Sequence, residues 1–313
     1  MIESIPKISV CIICYKQEDL IKRAINSLLK QKDYIYEICV SDDCSPDNTW
    51  NVLLDYDKQY PGLFKLQKHS DNVGIFENIE STWGMPTGDI IYRLAGDDEV
   101  GENWFKTVVE YIKNNNIDYK NELFCIYGNY QCRYPNGDSL VLKNDLIKKH
   151  KPLSLALRGL ICNRSACYSA SILRRFKRVS QGRSHIAEWA LDVQLQLYTE
   201  NNYYIDAIGN IYYTRIGVSI SIDESQSEER KLITCYTLDF LESEGVSFSI
   251  KEKNRLLKGD VIHTRINKKY FGIDYIINLC KCYEKEFGLR SLKIRHLIFA
   301  ILRRIPHKRP LSF

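Results

Sequence analysis

The sequence predicts an α/β protein: a mostly parallel sheet flanked by helices, followed by a C-terminal helical extension. Three observations predict it. Over residues 1–115, short apolar runs alternate with segments of helical periodicity, the pattern of a parallel sheet with crossover helices. Between 123 and 214 the strand-like segments come closer together and a hairpin signal appears. From about 225 to 305 the pattern is mostly helical, with few strand signals.

Residues 8–15, ISVCIICY, form a continuous apolar run, as suits a strand buried on both faces. Residues 18–30 then place Leu20, Ile21, Ala24, Ile25, Leu28 and Leu29 at helical spacing, with Glu18 and Asp19 at the positive end of the helix dipole. EICVS (37–41) is a second buried strand and ends in Asp42-Asp43. Ser45-Pro46-Asp47 predicts a helix start, a capping hydroxyl followed by Pro at the first helical position, and the helix runs to about Lys58. Phe64–Gln67 reads as a third strand, 74–83 as a helix, 88–95 as a fourth strand closed by Gly96-Asp97-Asp98, and 102–114 as a helix.

Ligands of open parallel sheets bind beyond the carboxyl ends of the strands. Asp42-Asp43 and Asp97-Asp98 stand at two such ends, which makes them candidate site residues. As purely structural groups, the first pair would cap the helix at Ser45-Pro46 and the second would face the positive end of helix 102–114. Two adjacent carboxylates cost repulsion that capping does not require.

After 115 the sequence predicts strands at Leu123–Tyr127, Tyr130–Tyr134 and Leu140–Lys143, with Asn136-Gly137 as a hairpin turn. Helix 186–200 follows, then strands 203–207 and 210–214. The polar stretch Asp223–Glu229 is the best boundary candidate. Two units result: 1–222, itself divided at 115/116, and a helical region 223–313.

Composition narrows the class. A hydrophobic fraction of 44% in 313 residues supports a full core without a disulfide or metal staple. The eleven cysteines are odd in number, scattered and placed largely in apolar runs. They read as reduced thiols acting as small core hydrophobes in a cytosolic chain. The Cys11/Cys14 pair has a C-x-x-C spacing, yet no second pair follows at ligand spacing. A strand-like segment begins within seven residues, so no signal peptide is expected, and no apolar run approaches the ~20 residues of a membrane span. The net charge of +5 gives no reason to expect nucleic acid. No GxxxxGK[ST] or GxGxxG is present, which argues against P-loop and dinucleotide-binding readings.

The stretches KISVCIICYKQEDLIKRAINSLLKQ, EICVSDDCSPDNT, DNVG and GDIIYRLAGDDEV, in this order and spacing, resemble the nucleotide-sugar-binding half of family 2 glycosyltransferases, inverting enzymes of the GT-A fold. The resemblance covers residues 7–114 strongly, 160–222 weakly and 223–313 not at all. It implies that 1–115 is the nucleotide-sugar-binding half and 116–222 the acceptor half. It implies that Ile13, Cys14 and Tyr15 touch the base and ribose, and that Asp43 accepts a hydrogen bond from a uracil-like base. Cys44 stands where the family has Gly. Asp98 would bind the divalent cation, Mg²⁺ or Mn²⁺, that bridges the two phosphates, and Asp97 would hold the ribose or donor sugar. The first Asp of the usual D-x-D motif is absent, with Ala95-Gly96 in its place. The cation acts as a Lewis acid for the departing diphosphate while phosphate oxygens and water fill most of its shell.

An inverting transferase needs a general base for the acceptor hydroxyl. By the same resemblance, Asp192 in AEWALDVQLQLY aligns with the family's base, although Leu191 stands where a Glu usually precedes it. Glu188 is the alternative and shares a helix face with Asp192. Trp189 would stack on a sugar or pack in the core. Arg215, in YYTRIGVSIS, would approach the diphosphate or form a surface salt bridge. His185 lies near the expected acceptor loop, and Arg164 and Arg183 are open as partners of an anionic acceptor.

After Glu286 there is no Asp or Glu, while Arg290, Lys293, Arg295, Arg303, Arg304, Lys308 and Arg309 follow. Leu292, Ile294, Leu297, Ile298, Ile301, Leu302 and Ile305 lie among them near helical spacing. This is the pattern of an interfacial helix on an anionic membrane, or equally of a helix packed on the body with a solvated basic edge. The expected protein is a cytoplasmic enzyme, peripheral to the inner membrane face if 288–313 binds there. It would transfer from a UDP- or dTDP-sugar to a glycan or lipid-linked glycan of the kind used in capsule or lipopolysaccharide. The alternative is a non-catalytic nucleotide-sugar- or glycan-binding relative of the same fold.

Overall fold

A computed structural model of the chain describes residues 5–157, 163–177, 187–214 and 226–257. The sheet grows from β1 (Ile8–Cys14), whose residues are buried on both faces apart from the partly exposed Ile13. Helix α1 (Leu20–Leu29) leads to β2 (Glu37–Asp42), α2 (Thr49–Gln59) to β3 (Phe64–Lys68), and α3 (Ile75–Ser81) to β4 (Ile90–Ala95). These four strands are parallel, in the order β3-β2-β1-β4. The chain therefore leaves β1 outward to β2 and β3, then returns to the other side of β1. That reversal is the switch point at which open α/β sheets form a ligand crevice.

The second half makes the sheet mixed. A short β5 (Glu99–Val100) and α4 (Trp104–Asn114) precede β6 (Phe124–Arg133) and its hairpin partner β7 (Ser139–Leu142). After α5 (Pro152–Leu157) come β8 (Ala166–Ser169), α6 (Ala170–Leu173), α7 (Ala187–Tyr198) and β9 (Asn201–Tyr213). Strand β8 lies antiparallel between β4 and β6, β9 runs parallel to β6, and β5 pairs antiparallel with β9. Helices α8 (Gln226–Ser243) and α9 (Ile250–Leu257) complete the described residues.

Strand alternation sorts the core into two layers. Ile8, Val10, Ile12 and Cys14 face Ile21, Ala24, Ile25 and Leu28 of α1 and Trp104, Phe105, Val108 and Ile112 of α4. Cys11, Cys39 and Ile91 point the other way, into a layer with Leu155 of α5, Ile172 of α6, Leu191, Val193 and Leu195 of α7, and Leu241 of α8. Cys11 and Cys14 thus lie on opposite faces and cannot share a zinc ion. Six of the thiols described are buried and none is in a disulfide, as small core hydrophobes should be.

Three local expectations are corrected. Helix α2 begins at Thr49, not at Pro46, because Asp47 accepts bonds from both the amide (3.1 Å) and the hydroxyl (2.6 Å) of Thr49. The Ser45 hydroxyl instead donates to Asp42. The segments read as 123–127 and 130–134 are one strand with a register shift around Gly128, where a Cβ would stand 2.7 Å from Trp104. Likewise 203–207 and 210–214 are one strand, β9.

Candidate active site

The loops after β2 and β4 leave the same edge of the sheet. Cys14 pairs with Asp42 on one side of β1 and Ile13 with Ala95 on the other. With one strand between them, these two ends stand about 10 Å apart, a span that a nucleotide diphosphate bridges.

On the β2 side, Asp42 is fully buried and works as a turn anchor, accepting from the amide (3.1 Å) and hydroxyl of Ser45. Asp43 is buried too. Its Oδ1 accepts from the Val73 amide (2.7 Å), and its Oδ2 accepts from the Gly74 amide (3.0 Å) and the Asn72 side chain (3.0 Å). The DNVG segment is thereby fastened to the β2 end, with Gly74 at φ +90°, a conformation that favours glycine. Cys44 holds a left-handed φ of +56°, so the turn that usually takes Gly forms here around Cys, whose thiol donates to the Ser70 carbonyl at 3.2 Å. Of the three residues closing β1, Cys14 is spent internally. Its carbonyl accepts from the Asp43 amide (3.0 Å), and its thiol faces Ser41 and Asp42. Burial, with Asp42 beside it, pushes that thiol's pKa up. Ile13 is partly exposed and Tyr15 is 38% exposed.

On the β4 side, the amide of Gly96 still donates to Ile13 (3.1 Å) and that of Asp98 folds back onto Ala95 (3.1 Å). A Cβ at Gly96 would lie 3.0 Å from the Cys14 Cβ and would displace the end of the Gln17 side chain. Asp98 is 1% exposed. Its Oδ2 lies 3.3 Å from Arg164 Nη1, its Oδ1 is buried and makes no direct hydrogen bond among the described residues, and the Tyr213 backbone amide lies close enough to favour the carboxylate. Burial lifts the Asp98 carboxyl to about 7, with Arg164 pulling it down and Asp97 adding to the rise. Burial also raises Asp97, against Arg164, and the Asp97 carbonyl accepts from Arg23.

Helix α7 closes the site. Glu188 and Asp192 lie one turn apart, and each holds an arginine from another element. Arg164 Nη2 is 2.9 Å from Glu188 Oε2, and Arg93 Nη2 on β4 is 3.2 Å from Asp192 Oδ1. The Asp192 side chain is 23% exposed. Burial lifts its carboxyl to about 6, opposed by Arg93 and reinforced by Glu188. Trp189 packs between Phe76, Ala190 and Ile233 and donates to the Ala156 carbonyl at 3.1 Å, an arrangement that serves packing. Arg164 therefore joins Asp98 of the acid loop to Glu188 of α7, while Asp192 pairs with Arg93.

Arg215, His185, Arg183 and residues 288–313 lie outside the described residues. Arg93, Arg23 and Tyr213 are additions that the sequence reading missed. Arg23 stacks 3.6 Å over Tyr213, and Tyr213 donates to Glu99 at 2.9 Å. The available signal was Arg93 itself, a charge inside the apolar strand IIYRLA, which demands a buried carboxylate partner.

Among the described residues no group of three or more His, Cys, Asp or Glu is gathered into a metal cage. A divalent cation would find one hard ligand in Asp98 Oδ1, which makes no direct hydrogen bond among the described residues, and a diphosphate would supply others. Among the described residues no helix is long and apolar enough to cross a membrane.

The glycosyl transferase family 2 model matches residues 9–162. The processive diacylglycerol beta-glycosyltransferase of Mycoplasma pneumoniae is 27% identical over 156 residues, which is 49% of this chain and 42% of that protein. The chain thus matches less than half the length of that relative. The enzyme of the same name from Mycoplasma genitalium is 22% identical over 282 residues, 90% of this chain and 71% of its own. Among solved structures, S. aureus TarS 1–349 in complex with UDP-GlcNAc superposes with a TM-score of 0.59 at 17% identity, covering 96% of this chain and 82% of that 1–349 chain. The likeness shows a shared fold.

Proposed function

Because residues 9–162 belong to glycosyl transferase family 2, we propose that this GT-A chain moves a sugar from a nucleotide diphosphate to an acceptor hydroxyl, with inversion at the anomeric carbon. The observation that carries the reading is the convergence of Asp98 and Glu188 on Arg164, with Asp192 one turn along the same helix. In this reading, the acid that would hold a cation and the acid that would take a proton sit close together near the switch point, tied through Arg164 and helix α7.

In this reading the nucleotide lies across the end of β1, against Ile13 and Tyr15, with Asp43 shaping the DNVG wall and accepting from the base. Asp98 would hold Mg²⁺ or Mn²⁺ through Oδ1, and Asp97 would position the ribose or donor sugar. The cation, when bound, offsets charge on the departing diphosphate. Asp192 takes the acceptor proton as the hydroxyl oxygen bonds to the anomeric carbon and the bond to diphosphate breaks. A carboxyl near 6 is ionised at neutral pH yet basic enough to accept that proton. Glu188, ion-paired with Arg164 as Asp192 is with Arg93, is the alternative base. The UDP-GlcNAc in the TarS complex supports a uridine donor, with dTDP as the second choice. The glycolipid relatives support a lipid-linked or surface-glycan acceptor, reached from the cytoplasmic face of the membrane.

Calorimetry of UDP with Mn²⁺ tests the reading, followed by a screen of nucleotide sugars for transfer or hydrolysis. Asp98→Ala is expected to remove nearly all turnover. An active Asp98→Ala protein, or no UDP binding with or without Mn²⁺, would overturn the proposal.

A further inference from the structure

Arg164 is a guanidinium fork between two acids from different elements. One nitrogen is 3.3 Å from Asp98 Oδ2, the other is 2.9 Å from Glu188 Oε2, and the group lies 4.8 Å over the Tyr212 ring of β9. Lysine, a point charge, could not span both acids while stacking on a ring. Among the described residues, one Asp98 oxygen is on Arg164 and the other is buried without a direct hydrogen bond, while the Tyr213 backbone amide also supports the carboxylate.

From this we infer that Arg164 is an internal counter-cation that occupies Asp98 in the ligand-free protein and makes binding of the divalent cation and the nucleotide diphosphate cooperative. The inference rests on the metal role proposed for Asp98. A divalent ion on Oδ1 alone would face a guanidinium on the other oxygen of the same carboxylate, and like charges in a partly buried site repel strongly. A diphosphate removes the conflict. Its oxygens complete the shell of the ion and give the guanidinium a bidentate anionic partner. Arg164 then keeps Glu188, releases Asp98 to the metal and turns its other nitrogen to the diphosphate. Loss of the diphosphate after transfer returns Arg164 to Asp98 and expels the ion.

The test is Mn²⁺ binding to the full chain, read from the resonance signal of free Mn²⁺, without and with saturating UDP. In the unmodified protein UDP is expected to tighten Mn²⁺ at least ~tenfold, within the usual range of coupling between sites. Arg164→Gln is expected to tighten Mn²⁺ alone at least ~fivefold and to shrink the effect of UDP to about twofold. Arg164→Lys keeps the charge but cannot span both acids, so its affinity for Mn²⁺ alone should fall between those of the unmodified protein and Arg164→Gln. The inference is overturned if Arg164→Gln binds Mn²⁺ alone no tighter, or if Arg164→Lys matches Arg164→Gln. Should Arg164→Gln fail to fold by circular dichroism, Arg164→Met answers the same question. An unmodified protein that binds no Mn²⁺ even with UDP removes the metal role itself, a failure visible before any variant is read.

Discussion

Arg93 Nη2 and Asp192 Oδ1 lie 3.2 Å apart and tie strand β4 to helix α7. Arg93 shares a register row with Cys11 of β1, so its side chain leaves the sheet on the face covered by α7. The pair fixes where the Asp192 carboxylate points and counters the burial that raises its pKa. Tyr168, Cys11 and Cys125 also line this space, and Glu188 adds its charge from the same helix. On the proposed role for Asp192, kcat/KM should fall on the acid side around pH 6, as the base takes up its proton. Removing the cation should raise the Asp192 pKa, so Arg93→Met is expected to move that limb upward by about one unit, with Arg93→Lys in between. A limb that stays put in Arg93→Met would detach Arg93 from the base.

The two acids of α7 can be separated by substitution. Asp192→Asn keeps the shape of the side chain and removes its basicity, so a loss of ~10²–10⁴ in kcat is expected. Glu188→Gln keeps the base and loosens Arg164, so the larger change should be in the apparent affinity for metal and donor. Full activity in Asp192→Asn would move the base to Glu188.

Asp98 and Asp192 also set a pH dependence of stability. Both carboxyls are raised in the folded chain, to about 7 and about 6, against roughly 3.9 when unfolded. Between those values the folded state holds protons that the unfolded chain has released. Stability therefore declines as pH climbs from about 4 to about 7, and the deficit is complete above that. In chelator-treated protein, Asp98→Asn is expected to raise Tm by several degrees at pH 8 and to change it little at pH 4. Differential scanning calorimetry at both pH values checks this. An unchanged or lower Tm at pH 8 would show that Asp98 is not strained by its burial.

The sequence disclosed the first half of the fold because β1, β2 and β4 are largely buried and carry apolar runs, broken in β4 by Arg93. The acid pair 97–98 was legible as charge placed directly after such a run. The second half was harder to read because β6 and β9 are long and interrupted: Gly128 and Gly209 make room for Trp104, and a local glycine looks like a strand end. The start of α2 was misread because Ser45-Pro46 has the composition of a cap, while Asp42 takes the serine hydroxyl for the loop instead. The Asp98–Arg164–Glu188 bridge could not be read at all. It joins positions 66 and 24 residues apart, and no local pattern encodes which arginine meets which acid. Asp43 shows the converse: its motif was visible, but its three bonds to the DNVG segment were not.

Gly101 tests whether the acid loop depends on the rim that supports it. It ends β5 directly after Val100, and its amide donates to the Gly209 carbonyl at 3.1 Å, while its carbonyl accepts from Gln31 at 2.9 Å. A Cβ built at Gly101 would overlap the Ile208 carbonyl oxygen, which is backbone and cannot swing aside. Gly101→Ala must therefore push β9 away from β5, and with it Tyr213, whose ring underlies Arg23. The overpacking cost should be about 1–3 kcal/mol, readable as a lower urea midpoint with an unchanged slope. Mn²⁺ and UDP binding should weaken in the same variant, because the acid loop runs straight into β5 at Glu99. A stable Gly101→Ala protein with native ligand affinity would mean that the β5–β9 rim yields freely and does not hold Asp97 and Asp98 in place.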